Sequence, residues 1–189
     1  MTIAAPTTES LIALFIERLT AVGGHVHRAR DSEAAARTIQ TIDGRKSRGT
    51  VWTSDEVTMR APGLVTWLAY LGLRATVPAN PAAVRDQPLG LAIAEGAIAE
   101  TGTSIMSEPR VNSRSVTLMT ETLVIVCPTS ALMPSLDEAA NVLRSISADG
   151  ASYATFITGP SRTADIERQL TVGVHGPGVF HVILVDALE

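Results

Sequence analysis

The run Thr122-Leu123-Val124-Ile125-Val126-Cys127 decides the architecture. It is apolar at nearly every position instead of every second one, the mark of a strand covered on both faces, as in a parallel sheet clad by helices. Downstream, Ser135-Leu136-Asp137-Glu138 has the capping-box pattern and opens a helix to about residue 145. Residues 153–158 and 180–185 read as two further buried strands. Upstream, residues 91–94 and 103–106 read as strands on either side of a glycine-containing bend, and Pro78, Pro81 and Pro88 make residues 77–89 mostly loop. Before them come an extended stretch at 74–77, a helix over 63–71 and a short strand at 50–52. Ser32 is placed to cap a helix running to Gln40, and residues 25–30 form a strand bounded by Gly and Asp. In the first helix Thr8 is the expected cap, Glu9 favours the positive end of the dipole, and Leu11, Phe15, Leu19 and Val22 share one face until Gly23-Gly24 ends it. Singly alternating strands and helices with apolar strands predict an α/β protein with a mainly parallel sheet. Residues 1–7, small and broken by Pro6, read as a flexible N-terminal arm, and 8–189 as a single domain.

Composition narrows the function. The 189 residues are 46% hydrophobic, enough for a sizeable core and too many for bulk disorder. Fifteen Lys and Arg against nineteen Asp and Glu give a net charge of -4, which argues against binding a phosphate backbone, and aromatics at 4% are too few for a base-stacking platform. One cysteine, Cys127, excludes an internal disulfide and every iron–sulfur or zinc site built on several thiolates. No apolar run approaches the roughly 20 residues that span a bilayer. With no signal-peptide pattern, the expected location is cytoplasmic.

Three segments can carry chemistry. Thr158-Gly159-Pro160-Ser161-Arg162-Thr163-Ala164-Asp165 follows a strand and is read as opening a short helix. Gly159 allows close backbone approach, and Ser161 and Thr163 put hydroxyls beside helix N-terminal N–H groups, a setting for a carboxylate or phosphate; the plainer alternative is a turn and a cap. Gly173-Val174-His175-Gly176-Pro177-Gly178 is a tight loop exposing backbone donors, in which His175 is either an acid, base or donor near neutral pH or a structural side chain. Glu100-Thr101-Gly102-Thr103 places a carboxylate ahead of a Thr-Gly-Thr bend, as a base, a nucleophile or a solvated turn residue. His25 and His27, two apart on a strand, share a face without a third ligand in view. Arg45, Lys46 and Arg48 read as a solvated basic loop, with attraction of an anionic ligand as the alternative. Neither a phosphate-loop lysine motif nor a Gly-x-Gly-x-x-Gly turn after a strand is present.

Taken together, Gly159-Pro160-Ser161, Thr163 to Glu167, Gly173 to Pro177 and Ile98 to Thr103 resemble the lactate-utilization protein C family, the LUD domain. The resemblance implies a three-layer α/β/α domain of the ribose-phosphate isomerase and CoA-transferase-like group. It implies a site at these loops, in which Glu100 and His175 are the candidates for catalysis. Ligand contacts are implied at Thr101, Gly102, Thr103, Gly159, Pro160, Ser161, Thr163, Asp165, Gly173, Gly176 and Pro177, with no metal. It implies further a part in oxidising L-lactate to pyruvate with iron–sulfur partner proteins that carry the clusters, this chain holding no cofactor and leaving its own catalytic status open. Two other readings use the same pocket: a stand-alone isomerase or acyl-transfer enzyme on a small phosphorylated or CoA-linked substrate, and a module that senses an organic acid. The sequence departs from the family at Arg162, where a small residue is common, and around Thr120 and Leu123. The geometric expectation is that Glu100, Ser161, Asp165 and His175 face one cleft beyond the carboxyl ends of the strands.

Overall fold

The computed structural model describes residues 6–148, 150, 153–163, 171–172 and 176–189, with the backbone alone at 163, 171 and 172. The elements are α1 (Thr8–Ala21), β1 (His25–Asp31), α2 (Ser32–Asp43), β2 (Thr50–Thr53), α3 (Asp55–Arg60), α4 (Pro62–Tyr70), β3 (Arg74–Thr76), β4 (Leu89–Ile93), β5 (Gly96–Ile98), β6 (Thr103–Ser107) and α5 (Val111–Met119). They continue with β7 (Thr122–Pro128), β8 (Leu132–Met133), α6 (Leu136–Ala148), β9 (Ala154–Ile157), β10 (Arg162–Thr163), β11 (Thr171–Val172) and β12 (Val179–Ala187).

Six strands form a parallel sheet in the order β1-β12-β7-β4-β2-β3, with β7, the decisive run, near its middle. Both faces are covered. On one, Leu91, Ile93, Val124, Val126, Ile183 and Val185 pack against Ile39 of α2 and Leu64 and Leu68 of α4. On the other, Ala92, Leu123, Ile125, Cys127 and Val182 pack against Ile12, Phe15 and Leu19 of α1. This double burial is why the strands read as unbroken apolar runs. Among the described residues no helix is long and apolar enough to cross a membrane.

A second sheet, in the order β8-β5-β6-β9, lies beyond α1 and is mixed: β6 runs antiparallel to both β5 and β9, while β8 is parallel to β5. It corrects the expectation of one sheet. It also corrects the reading of 153–158 as a buried strand, because β9 is an edge strand whose Phe156 is 41% exposed. Two caps shift by one residue. Thr7 caps α1 by accepting from the Ser10 N–H, and Asp31 caps α2 by accepting from the Ala34 N–H. Ser32 instead bonds the backbone of Glu189. Helices α3 and α5 were not expected. α5, Val111-Asn-Ser-Arg-Ser-Val-Thr-Leu-Met, is made largely of weak helix formers and has no side-chain cap. The Ser135 box does open α6: the Glu138 carboxylate accepts from the Ser135 backbone N–H and from its hydroxyl.

Candidate functional site

The Thr-Gly-Thr bend joins β5 to β6, and the residues after β9 come back beside it. Thr101 Oγ1 lies 2.7 Å from Thr103 Oγ1, which lies 2.7 Å from Thr158 Oγ1. The three hydroxyls form a chain with its middle member, Thr103, 5% exposed and both ends at the surface. Three hydroxyl protons serve two hydrogen bonds; when Thr103 donates to one neighbour, that exposed terminal hydroxyl keeps its own O–H free to donate. Both segments rest on the end of α1. Gly102 has φ +67°, and a Cβ there would stand 2.5 Å from the Leu19 nitrogen, so only glycine lets the bend approach the helix this closely. Gly159 lies against Val22, and the Arg162 guanidinium donates to the Val22 carbonyl at 2.5 Å. A cation at the negative end of the helix is favourable, which gives the departure at Arg162 a structural role.

The third segment joins through Ser161, whose N–H donates to the Pro177 carbonyl at 2.8 Å while Gly176 lies against its side chain. Thus Thr101, Gly102, Thr103, Gly159, Pro160, Ser161, Gly176 and Pro177 lie along one continuous ledge. Glu100 is exposed beside it, with its carboxylate accepting from the Leu136 N–H at 3.3 Å, at the start of α6. Asp165, Gly173 and His175 lie outside the described residues, as does the Thr163 side chain. Of the four residues expected to face one cleft, only Glu100 and Ser161 are therefore among the described residues, and the shared cleft stays an expectation.

Two expectations about this region change. Residues 162–163 form the strand β10, paired antiparallel with β11, so no helix starts at Ser161. The ledge also lies at the amino edge of the parallel sheet, where α1 ends before β1 and Gly178 leads into β12. The physical reason is that β9 belongs to the antiparallel sheet, so the turn after it does not open at the carboxyl ends. Beside the ledge, an open cleft of about 800 Å³ is lined by Lys46, Arg85, Asp86, Glu121, Gly176 and Gly178, among others. Lys46 of the basic loop thus faces the same side as the glycine loop. Thr120 and Leu123 are buried: Thr120 donates to the Val116 carbonyl, and Leu123 sits in the core under α1.

The carboxyl edge holds residues that the sequence reading passed over. Ser54, Glu56 and Glu108 are buried there, and each has an oxygen without a hydrogen-bond partner. Glu108 Oε2 accepts from Thr117 at 2.7 Å. Burial pushes the Glu108 carboxyl up to about 8, with the charge of Glu56 adding to the shift, so it is protonated at neutral pH. The signal available was Thr53-Ser54-Asp55-Glu56, four polar residues directly after a strand. Elsewhere, His181 of β12 joins His25 and His27: its ring stacks on His25 at 4.7 Å, and His27 Nε2 lies 3.0 Å from His181 Nδ1. Burial first, then the neighbouring rings, pushes His181 down to about 4. Cys127 is fully buried, and burial pushes its thiol up to about 12.

A parallel sheet clad by helices, with a ledge of glycines and threonine hydroxyls between it and a second sheet, defines an α/β protein of layered type. The model of the LUD domain matches residues 80–185, and the chain belongs to that family. Lactate utilization protein C of Bacillus subtilis (strain 168) is 38% identical over 101 residues, 52% of this chain and 42% of that protein. The protein of the same name from Geobacillus thermodenitrificans is 32% identical over 136 residues, 70% of this chain and 55% of its own length. The chain thus spans about half the length of the curated relatives it matches. The crystal structure of a DUF162 family protein from Deinococcus radiodurans superposes with a TM-score of 0.69 over 96% of this chain and 99% of that one. At 18% identity that likeness is one of fold.

Proposed function

We propose that the protein is a component of an L-lactate oxidation system and binds a small organic acid at the ledge. The observation that carries the reading is the meeting of the segments that resemble the family: the hydroxyl chain Thr101–Thr103–Thr158 and the Ser161–Pro177 bond bring them together. The names of the relatives supply the pathway. With Thr103 donating to one neighbour, the free terminal O–H and the backbone groups of a glycine-rich loop suit a carboxylate or phosphate oxygen. In this reading Glu100 and His175 are the acid–base candidates, and Asp165, Thr163 and Gly173 complete the ligand contacts. The single cysteine, buried in β7, cannot ligate a cluster, so electrons leaving lactate pass to iron–sulfur partner proteins in the cytoplasm.

The test is genetic. Deleting the gene is expected to abolish or strongly slow growth on L-lactate as sole carbon source while growth on glucose is unchanged, with recovery on complementation. Normal growth of the deletion strain on L-lactate would refute the assignment.

A further inference from the structure

We infer that the carboxyl edge of the parallel sheet carries a second site, a seat for a hard divalent cation formed by Ser54, Glu56 and Glu108. The topology places it where open α/β sheets bind ligands. From β2 the chain passes through α3 and α4, on the face that holds Leu64 and Leu68, to its outer neighbour β3. From β4 it passes through β5, β6 and α5 to β7 on the other side; α5 covers the opposite face, where Gly90 meets Val116 and Thr120. The chain therefore leaves the adjacent carboxyl ends of β2 and β4 in opposite directions, and such reversal points open a crevice between the loops.

The side chains in this crevice are short of positive partners. Ser54 is 0%, Glu56 8% and Glu108 2% exposed, and Ser54 Oγ, Glu56 Oε2 and Glu108 Oε1 are all buried and unpartnered. Ser113 and Thr117, one turn apart on α5, hold the two acidic segments to one helix face. The Ser113 Oγ accepts from the Asp55 N–H at 3.1 Å, and Thr117 donates to Glu108. The nearby cations make their bonds elsewhere, Arg110 on Asp55, Arg60 on Glu95, and Arg114 over the Tyr153 ring and on the Pro109 carbonyl, although the Arg114 charge still reaches Glu108. Two buried acidic side chains with unpartnered oxygens and no cation bonded to either are unfavourable, and a divalent cation taking the place of the Glu108 proton would balance both. An oxygen-only set is hard-cation chemistry, and Mg²⁺ is commonly held by one or two carboxylates while keeping several waters. Among the described residues no three His, Cys, Asp or Glu side chains form a metal-ligand group. The cation is accordingly held by two carboxylates and a hydroxyl, with water completing its shell. This site does not depend on the organic-acid reading of the ledge.

The experiment titrates the whole chain, freed of metal by chelation, with Mn²⁺ and follows the electron paramagnetic resonance signal of the free ion. We expect about one Mn²⁺ bound per chain, displaced by Mg²⁺, with affinity reduced at least about tenfold in Glu56→Gln and in Glu108→Gln. Glu9→Gln, at an exposed carboxylate of α1, leaves binding unchanged. A cation-dependent rise in the melting temperature of the unmodified protein gives a readout that needs no variant. A free-ion signal undiminished at millimolar protein, as a proton shared between the two carboxyls would give, overturns the site, and so does equal binding by the unmodified chain and both Gln variants.

Discussion

Gly102 shows how one residue joins the ledge to the core. Its positive φ and the absence of a Cβ allow the bend to lie on the backbone of Leu19, itself fully buried under the sheet. Gly102→Ala is expected to destabilise the protein by about 2–4 kcal/mol, measured by urea unfolding, because both the backbone conformation and the space are wrong for alanine. Glu108 carries a pH signature. Its folded pKa of about 8 lies above the ordinary 4.5, so its contribution to stability is complete below about pH 4.5 and is lost as pH rises through 8. Glu108→Gln should flatten that loss, gaining on the order of 2–4 kcal/mol relative to the unmodified protein between pH 5 and pH 8.5. Of these two residues only Gly102 was legible beforehand. A Thr-Gly-Thr bend announces itself, whereas Glu108 next to Pro109 and Arg110 has the look of a solvated loop, and only the fold of α5 back over it makes it buried.

Two elements depend on contacts far along the chain. The carbonyl end of α1 is met by Arg162, 140 residues later. Arg162→Ala should lower stability by about 1 kcal/mol, or about 2–4 °C in melting temperature, with faster amide exchange confined to the last turn of α1 and the Gly23-Gly24 turn. Among the described residues strand β1 lies at the sheet edge and pairs only with β12, through the register His25↔His181. Because folding lowers the His181 pKa from 6.5 to about 4, its contribution is present above pH 6.5 and is lost as pH falls through 4. The ring is part exposed, so after screening the loss is about 1–2 kcal/mol between pH 7 and pH 4. His181→Asn should abolish most of that acid sensitivity in unfolding experiments. The strand positions were readable because doubly buried strands are apolar throughout. The histidine cluster was not, since its third member arrives only when β12 pairs in parallel with β1.

At the scale of the molecule, the parallel sheet was legible and the second sheet was not. β5, β8 and β9 are two to four residues long, too short to carry a period, and nothing local states which sheet a short strand joins. That one ambiguity moved the ledge from the carboxyl to the amino edge, although the residues that form it were named from their motifs. The burial of Ser54, Glu56 and Glu108 was equally hidden, since it depends on how the chain reverses direction between β2 and β4. Binding of a small organic acid at the ledge is measured by isothermal titration of the purified chain with L-lactate and pyruvate, in parallel with Thr103→Val, which removes the middle hydroxyl of the chain while keeping its shape. One site per chain is expected for at least one of the two acids, weakened about tenfold or more in the variant. No binding of either acid, or equal affinity for the unmodified and Thr103→Val proteins, would contradict it.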